Sequence, residues 1–131
     1  MIAENVKKVF DENVWYIASC GDEPNVVPVG FKCVTPEGEF AIGAVLLGTT
    51  LKNIEANPKV AIAACAPATA EAYQVKGTAR MVTEGETYEF FKKLADDTFK
   101  GALPLKCALV VKPEKLIVAS PNGQNRQELA L

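Results

Sequence analysis

The sequence predicts a mainly β fold: a small antiparallel barrel of six or seven strands with short helices at its openings. Three observations carry this reading. Short runs rich in β-branched and aromatic residues recur between turn signals. Strand pairs are joined by connections too short for a crossover helix, which makes them antiparallel. Six or seven such strands in a chain of 131 residues hide their edges best by closing on themselves.

Residues 2–12 place Ile2, Val6, Val9 and Phe10 at i, i+4, i+7 and i+8, the stripe of a short amphipathic helix. The runs at 14–20, 25–34 and 39–45, separated by GDEP and TPEG turns, read as a three-stranded meander. Thr49 and Thr50 are candidate caps for a helix that begins near Leu51, turns Ile54 and Ala56 inward and stops at Asn57 before Pro58. A strand at 59–65 follows. The next, at 71–82, alternates Ala72, Gln74, Lys76, Thr78 and Arg80 on one face with Tyr73, Val75, Gly77, Ala79 and Met81 on the other. Thr83 with Glu86 reads as a capping box for a helix that carries Tyr88, Phe91, Leu94 and Ala95 on one stripe to about Thr98. Two last strands, 106–111 and 115–119, are joined by a tight turn at 112–114. The polar tail from Ser120 to Leu131 is expected to order against a partner.

Composition narrows the function. One domain is expected at this length, and 49% hydrophobic with 23% charged residues is the balance of a folding chain, not a disordered one. The net charge of -2 with scattered basic residues argues against a nucleic-acid face. The apolar run at 60–66 falls short of the roughly 20 residues of a membrane span, and the first ten residues lack a signal core, so a cytoplasmic location is expected. The chain contains no histidine, which removes Ser-His and Cys-His catalysis, His-ligated zinc and His-ligated haem. Cys20, Cys33, Cys65 and Cys107 form no C-x-x-C pair and are expected to be buried, reduced thiols within strands.

Candidate binding features remain. Thr49, Thr50, Lys52 and Asn53 open the second helix, where free N-H groups and the positive end of the dipole suit an anion such as phosphate, although Thr-Thr before a helix is more often an ordinary cap with a solvated lysine. The preceding GAVLLG run, 43–48, is small, apolar and uncharged, a surface for a flat aromatic group. Pro28 and Gly30 share a strand face, which signals either an edge strand with a bulge or an open approach to the backbone. Gly77 carries the same ambiguity. The polar stripe from Gln74 to Arg80 fits a solvated sheet face or a binding surface.

GTTLKNIEANPKVAIAA at 48–64 and AYQVKGTARMVTEGETYE at 72–89 resemble the pyridoxamine 5'-phosphate oxidase-like family of FMN-binding split β-barrels. Asn57-Pro58-Lys59-Val60 and Gln74-Val75-Lys76-Gly77-Thr78-Ala79 carry the likeness, and the order of elements extends it over nearly the whole chain, 1–131, as one FMN-binding domain. The resemblance implies a homodimer with two FMN molecules in clefts between subunits. It further implies that Val27, Pro28, Val29 and Gly30, with Gly43, Ala44 and Val45, line the isoalloxazine. Thr49, Thr50 and Lys52 would hold the phosphate, and Gln74 would approach from a neighbouring strand. Many members carry a basic residue where Thr49 or Thr50 stands, so here hydroxyls, backbone N-H groups and Lys52 would share that task. The implied activity is that of a flavoprotein oxidoreductase with FMN as the redox group. Two alternatives stay open: an electron carrier or flavin-sequestering module without a substrate of its own, and a barrel that binds the deazaflavin F420. The resemblance names neither the catalytic residues nor the redox partner. The activity of pyridoxamine-phosphate oxidase itself is not implied, because its basic and His substrate residues have no counterpart here.

Overall fold

The computed structural model describes all 131 residues. In chain order the elements are α1 (Glu4–Glu12), β1 (Trp15–Cys20), β2 (Pro24–Val29), β3 (Lys32–Val34), β4 (Phe40–Ala44), α2 (Thr49–Ala56), β5 (Lys59–Cys65), β6 (Ala72–Val82), α3 (Glu86–Phe99), β7 (Cys107–Val118) and β8 (Glu128–Leu129). Seven strands form one antiparallel sheet in the order β2-β1-β5-β6-β7-β4-β3, and the two-residue β8 adds beside β7. The ends of this sheet, β2 and β3, are consecutive in the chain and separated only by Gly30 and Phe31. Three virtual bonds span at most about 11 Å, so the sheet must curl until its two edges face each other across that link. The result is a split barrel, closed along one seam by covalent chain rather than by a ladder.

This seam replaces the expected three-stranded meander. Residues 25–34 are not one strand: β2 pairs with β1 and β3 pairs with β4, at opposite ends of the sheet. Pro28 lies opposite Tyr16 near the end of β2, and the chain leaves that ladder at Gly30.

The expected turn at 112–114 is also absent, because β7 runs unbroken for 12 residues. Its register against β6 shifts between Lys76 and Gly77, so that Lys76 faces Lys115 while Gly77 faces Pro113. The extra residue reverses the alternation: Leu109 and Val111 before the bulge and Leu116 and Val118 after it all join the same core. Gly77 makes room for this. A Cβ there would lie 2.3 Å from the Lys112 carbonyl oxygen, and Pro113, which cannot donate to a ladder, is tolerated at the bulge.

Inward side chains of the strands meet α1 and α2 in one apolar cluster that includes Val6, Val9, Phe10, Trp15, Phe40 and Ile54. The C-terminal carbonyls of α1 are satisfied by side chains: Asn13 Nδ2 donates to Val9 O at 2.9 Å, and Trp15 Nε1 and Lys32 Nζ donate to Phe10 O at 2.7 and 2.9 Å. The Lys32 ammonium also sits 5.2 Å from the Trp15 ring centroid. Outside the barrel, α3 lays Phe91 and Ala95 on Ala41 of β4, Ala108 of β7 and Val45 just after β4.

Smaller expectations are corrected as well. The second helix begins at Thr49 after an N-cap at Gly48, with neither threonine capping it, and Ala56 is exposed. The third begins after Gly85, whose φ of 97° takes the chain through a region natural to glycine, and no side chain caps it, so Thr83 with Glu86 is not a capping box. The tail folds on its own chain: Arg126 N donates to Val118 O at 2.8 Å, Val118 N donates to Gln127 O at 2.9 Å, and β8 pairs with Leu116 and Ile117. All four cysteines are free, but only Cys107 is buried. Cys33 is half-buried, and Cys20 and Cys65 are exposed at strand ends. Burial pushes the Cys33 and Cys107 thiols up, which keeps both as neutral apolar groups.

Candidate functional site

Where the chain crosses the seam it leaves a groove of about 430 Å³, lined by Val27, Pro28, Val29, Gly30 and Phe31 on one side and by Gly43, Val45, Leu46, Leu47 and Phe99 on the other. Seven of these ten are hydrophobic and none is ionisable, so the floor is apolar and its polar groups belong to the backbone. Gly30 is the open point. A Cβ built on it would meet no heavy atom within 4 Å, so its missing side chain leaves free space above the backbone. Gly43 is small for a different reason. A Cβ there would come 2.8 Å from the Phe91 ring, so this glycine lets α3 pack directly on β4.

The wall at 45–48 leads into α2. Lys106 braces it, with Nζ donating to Leu47 O at 3.0 Å and its backbone N-H to Ala44 O at 2.8 Å. Two residues beyond Leu47 the helix starts, with Gly48 as its N-cap, no side-chain cap bond and no acidic residue in its first turn, so no side chain offsets the positive end of its dipole. Thr49 and Lys52 are exposed there. Thr50 is not. It is 1% exposed, and its hydroxyl accepts a hydrogen bond from Asn25 Nδ2 at 3.1 Å.

Of the residues expected to serve a flavin, the structure therefore gathers Val27, Pro28, Val29, Gly30, Gly43 and Val45 in one groove, and leaves Thr49 and Lys52 exposed on the helix that follows its 45–47 wall in the chain. Ala44 is fully buried and lines no part of it, and Thr50 is turned into the protein. Gln74 is placed elsewhere. Its strand β6 is separated from β4 by β7 and from β2 by β1 and β5, so no neighbouring strand brings it to this groove.

The ladder instead sets Gln74 in an outward row, Pro28, Tyr16, Ala63, Gln74 and Ile117 on five successive strands. A second row, Val26, Ala18, Ala61, Lys76 and Lys115, runs beside it. Helices α1 and α2 deliver their apolar side chains to the inward core, and α3 covers β4 and the start of β7, so these rows carry no helix. Tyr16 and Val26 are 52% and 63% exposed on them.

Phe31 and Phe99 are not among the residues expected from the sequence, and Leu46 and Leu47 are expected only as part of the apolar 43–48 run. Phe31 follows Gly30 directly. Phe99 closes α3 one residue beyond the end expected for that helix, before the left-handed Lys100 and Gly101.

Residues 2–119 match the profile of the family described as pyridoxamine 5'-phosphate oxidase. An uncharacterised protein of Methanocaldococcus jannaschii is 33% identical over 115 residues, which is 85% of this chain and 76% of that one. Among solved structures, HupZ of Group A Streptococcus superposes with a TM-score of 0.80 over 95% of this chain and 98% of that chain at 25% identity. An FMN-binding protein of Syntrophomonas wolfei gives 0.78 over 91% and 86% at 18% identity, a likeness of fold. A split barrel with this strand order, matched by the family profile over nearly its whole length, identifies the chain as a member of the pyridoxamine 5'-phosphate oxidase family.

Proposed function

We propose that residues 1–131 form one FMN-binding unit, with the flavin ring in the seam groove over Gly30 and the phosphate at the N-terminus of α2, and that the protein is an oxidoreductase of the cytoplasm. The observation that carries this is a conjunction: the Leu46–Leu47 wall of an apolar groove with an open backbone at Gly30 runs on, two residues later, into a helix with no side-chain N-cap. A flat ring and an anionic tail need those two surfaces side by side. FMN, when bound, supplies the electron or hydride transfer. The chain's own residues orient and shield. Leu46, Leu47 and Phe99 exclude water from one side of the groove, Gly30 admits the ring, and Thr49 with Lys52 and the first-turn N-H groups holds the phosphate. No ionisable group lines the groove, which suits hydride or electron transfer better than acid-base chemistry. FMN is favoured over F420 because the start of α2 offers one anion site with one lysine, less than a long anionic tail asks for. The four free cysteines fit a reducing compartment.

The finer reading includes a homodimer. The outward rows on β2, β1, β5, β6 and β7 present Tyr16, Val26 and a floor of small alanines without a helix to cover them, and a second copy of the chain is the occupant we propose. Only such a copy would bring a Gln74 to the groove. Light scattering at micromolar concentration should give twice the mass of 14.0 kDa, and Ala63→Arg should give the monomer. A monomeric wild type rejects this part.

The flavin assignment is tested by the absorbance spectrum of the protein as purified, with mass spectrometry of the released ligand. FMN is the expected result; F420, or no uptake of added FMN, overturns it. Turnover of NADH or NADPH with a small acceptor supports an oxidoreductase. Bound FMN without such turnover favours the carrier or flavin-sequestering reading.

A further inference from the structure

A small polar cluster ties α2 to β1 and β2. Ser19 of β1 is 4% exposed and Thr50 of α2 is 1% exposed. Asn25, at the start of β2, reaches both: its Nδ2 donates to Thr50 Oγ1 at 3.1 Å and to Ser19 Oγ at 3.3 Å. From the other side Asn53 Nδ2 donates to Ser19 Oγ at 3.1 Å. The side chain of Asn53 lies so close to the turn after β1 that a Cβ on Gly21 would sit 2.5 Å from its Oδ1. Four groups from three elements are thus matched to one another, and no buried side-chain polar atom is left without a partner.

The arrangement has a directional consequence. Apolar packing by Ile54 sets how deeply α2 sits, but it constrains rotation about the helix axis and sliding along it weakly, because dispersion contacts are not directional. Hydrogen bonds at the first turn and at Asn53 fix both. The N-cap position is held by Gly48, which has no side chain to offer, so the Thr50 hydroxyl inside the first turn serves attachment to β2 while no side chain caps the helix.

We infer that Asn25 is a positioning residue that sets the N-terminus of α2 through Thr50, so that Thr50 serves phosphate binding without touching the phosphate. The inference rests on the flavin reading above, and its test separates the two. In the apo protein, hydrogen exchange at the amide of Lys52, which donates to Gly48 O at 3.1 Å and closes the first turn, should quicken by about tenfold in Thr50→Val, which keeps the shape and loses the acceptor, and stay near wild type in Thr50→Ser. In flavin titrations Thr50→Val should lose about tenfold in FMN affinity and leave riboflavin within about twofold, with Thr50→Ser restoring FMN. Asn25→Ala should behave like Thr50→Val, and the double variant should be no worse than either single one. If Asn25→Ala fails to fold, Asn25→Ser, too short to reach Thr50, takes its place in the cycle.

Losses that add in the double variant would mean that Thr50 meets the phosphate directly and would overturn the inference. Unchanged amide exchange in Thr50→Val would overturn it as well. A wild type that binds FMN and riboflavin equally refutes the phosphate placement instead, and the exchange measurement then judges the positioning role by itself.

Discussion

Two groups of aromatic side chains in this molecule meet opposite fates. Phe10, Trp15 and Phe40 are all 0% exposed, with ring centroids 4.9 to 5.8 Å apart and the indole N-H bonded to a carbonyl. Phe31 and Phe99 stand at a similar separation, 5.8 Å and tilted by 46°, yet both line an open groove and are only half-buried. The first group is enclosed on every side by the protein. The second keeps one side for something else, and what separates them is position relative to the seam, where the sheet has no ladder to close over them.

Substitutions in the two regions should therefore divide stability from binding. The largest effect is expected in the enclosed group. Trp15→Ala removes the biggest fully buried side chain and its hydrogen bond and should cost about 3–5 kcal/mol in denaturant unfolding, a large part of a typical domain's 5–15 kcal/mol. A loss below about 1 kcal/mol would erase the contrast. At the seam the expectation reverses. Gly30→Val adds two methyl groups where a Cβ meets nothing, so the apo protein should melt at the same temperature or higher, while FMN affinity falls more than about tenfold, or 1.4 kcal/mol. Unaltered FMN affinity in the folded variant would remove the ring from this position.

Thr49→Glu sharpens the comparison at the start of α2. The exposed carboxylate would favour the helix dipole but repel a phosphate, so FMN should weaken severalfold with riboflavin unaffected and apo stability unchanged or slightly raised. Equal losses for both flavins would show that the phosphate lies elsewhere. The smallest effect is expected away from both regions, at the Arg80 and Glu39 pair, bonded at 2.8 and 3.0 Å. The hydrogen bond from Arg80, against an opposing effect of burial, holds the Glu39 carboxyl below its ordinary value of 4.5. Its contribution is therefore present above that value and fades as pH falls through the depressed one. Because the Arg80 side chain is 55% exposed, Arg80→Ala should cost at most about 0.5 kcal/mol near neutral pH, and less in high salt. Melting curves across acid pH check this, and a difference that grew on acidification would contradict the sign.

The strand runs, three helices and the closed architecture were legible because each rests on local periodicity. The sequence was less informative where two distant signals act as one. Gly77 and the Lys112-Pro113-Glu114 step each looked like an interruption, and together they form a single bulge that keeps β7 continuous. Pro28 and Gly30 did signal an opening in the ladder. That this opening divides 25–34 between opposite ends of the sheet depends on β4 pairing with β7, a contact across more than sixty residues that no local pattern encodes. At the candidate site, Val27 to Gly30 could be singled out from composition and likeness, whereas Phe99 could not, since nothing in α3 indicates which groove its last turn will overlook. Thr50 was misjudged because a threonine at a helix start suggests a cap, and its actual partner, Asn25, lies on another hairpin.

The strand order also sets when the molecule can form. A nascent chain that has reached β4 can make two hairpins, β1 with β2 and β3 with β4, but no ladder connects them. β5 and β6 lengthen the first hairpin and leave the second isolated. Only β7 touches both β6 and β4, and it is made after both of them. The barrel is therefore assembled after translation of residue 118 and not progressively, and its high contact order places refolding in the millisecond-to-second range, slower than a helical bundle of equal length. Any chain cut before Cys107 would expose the β3–β4 hairpin as an orphan with no sheet to join.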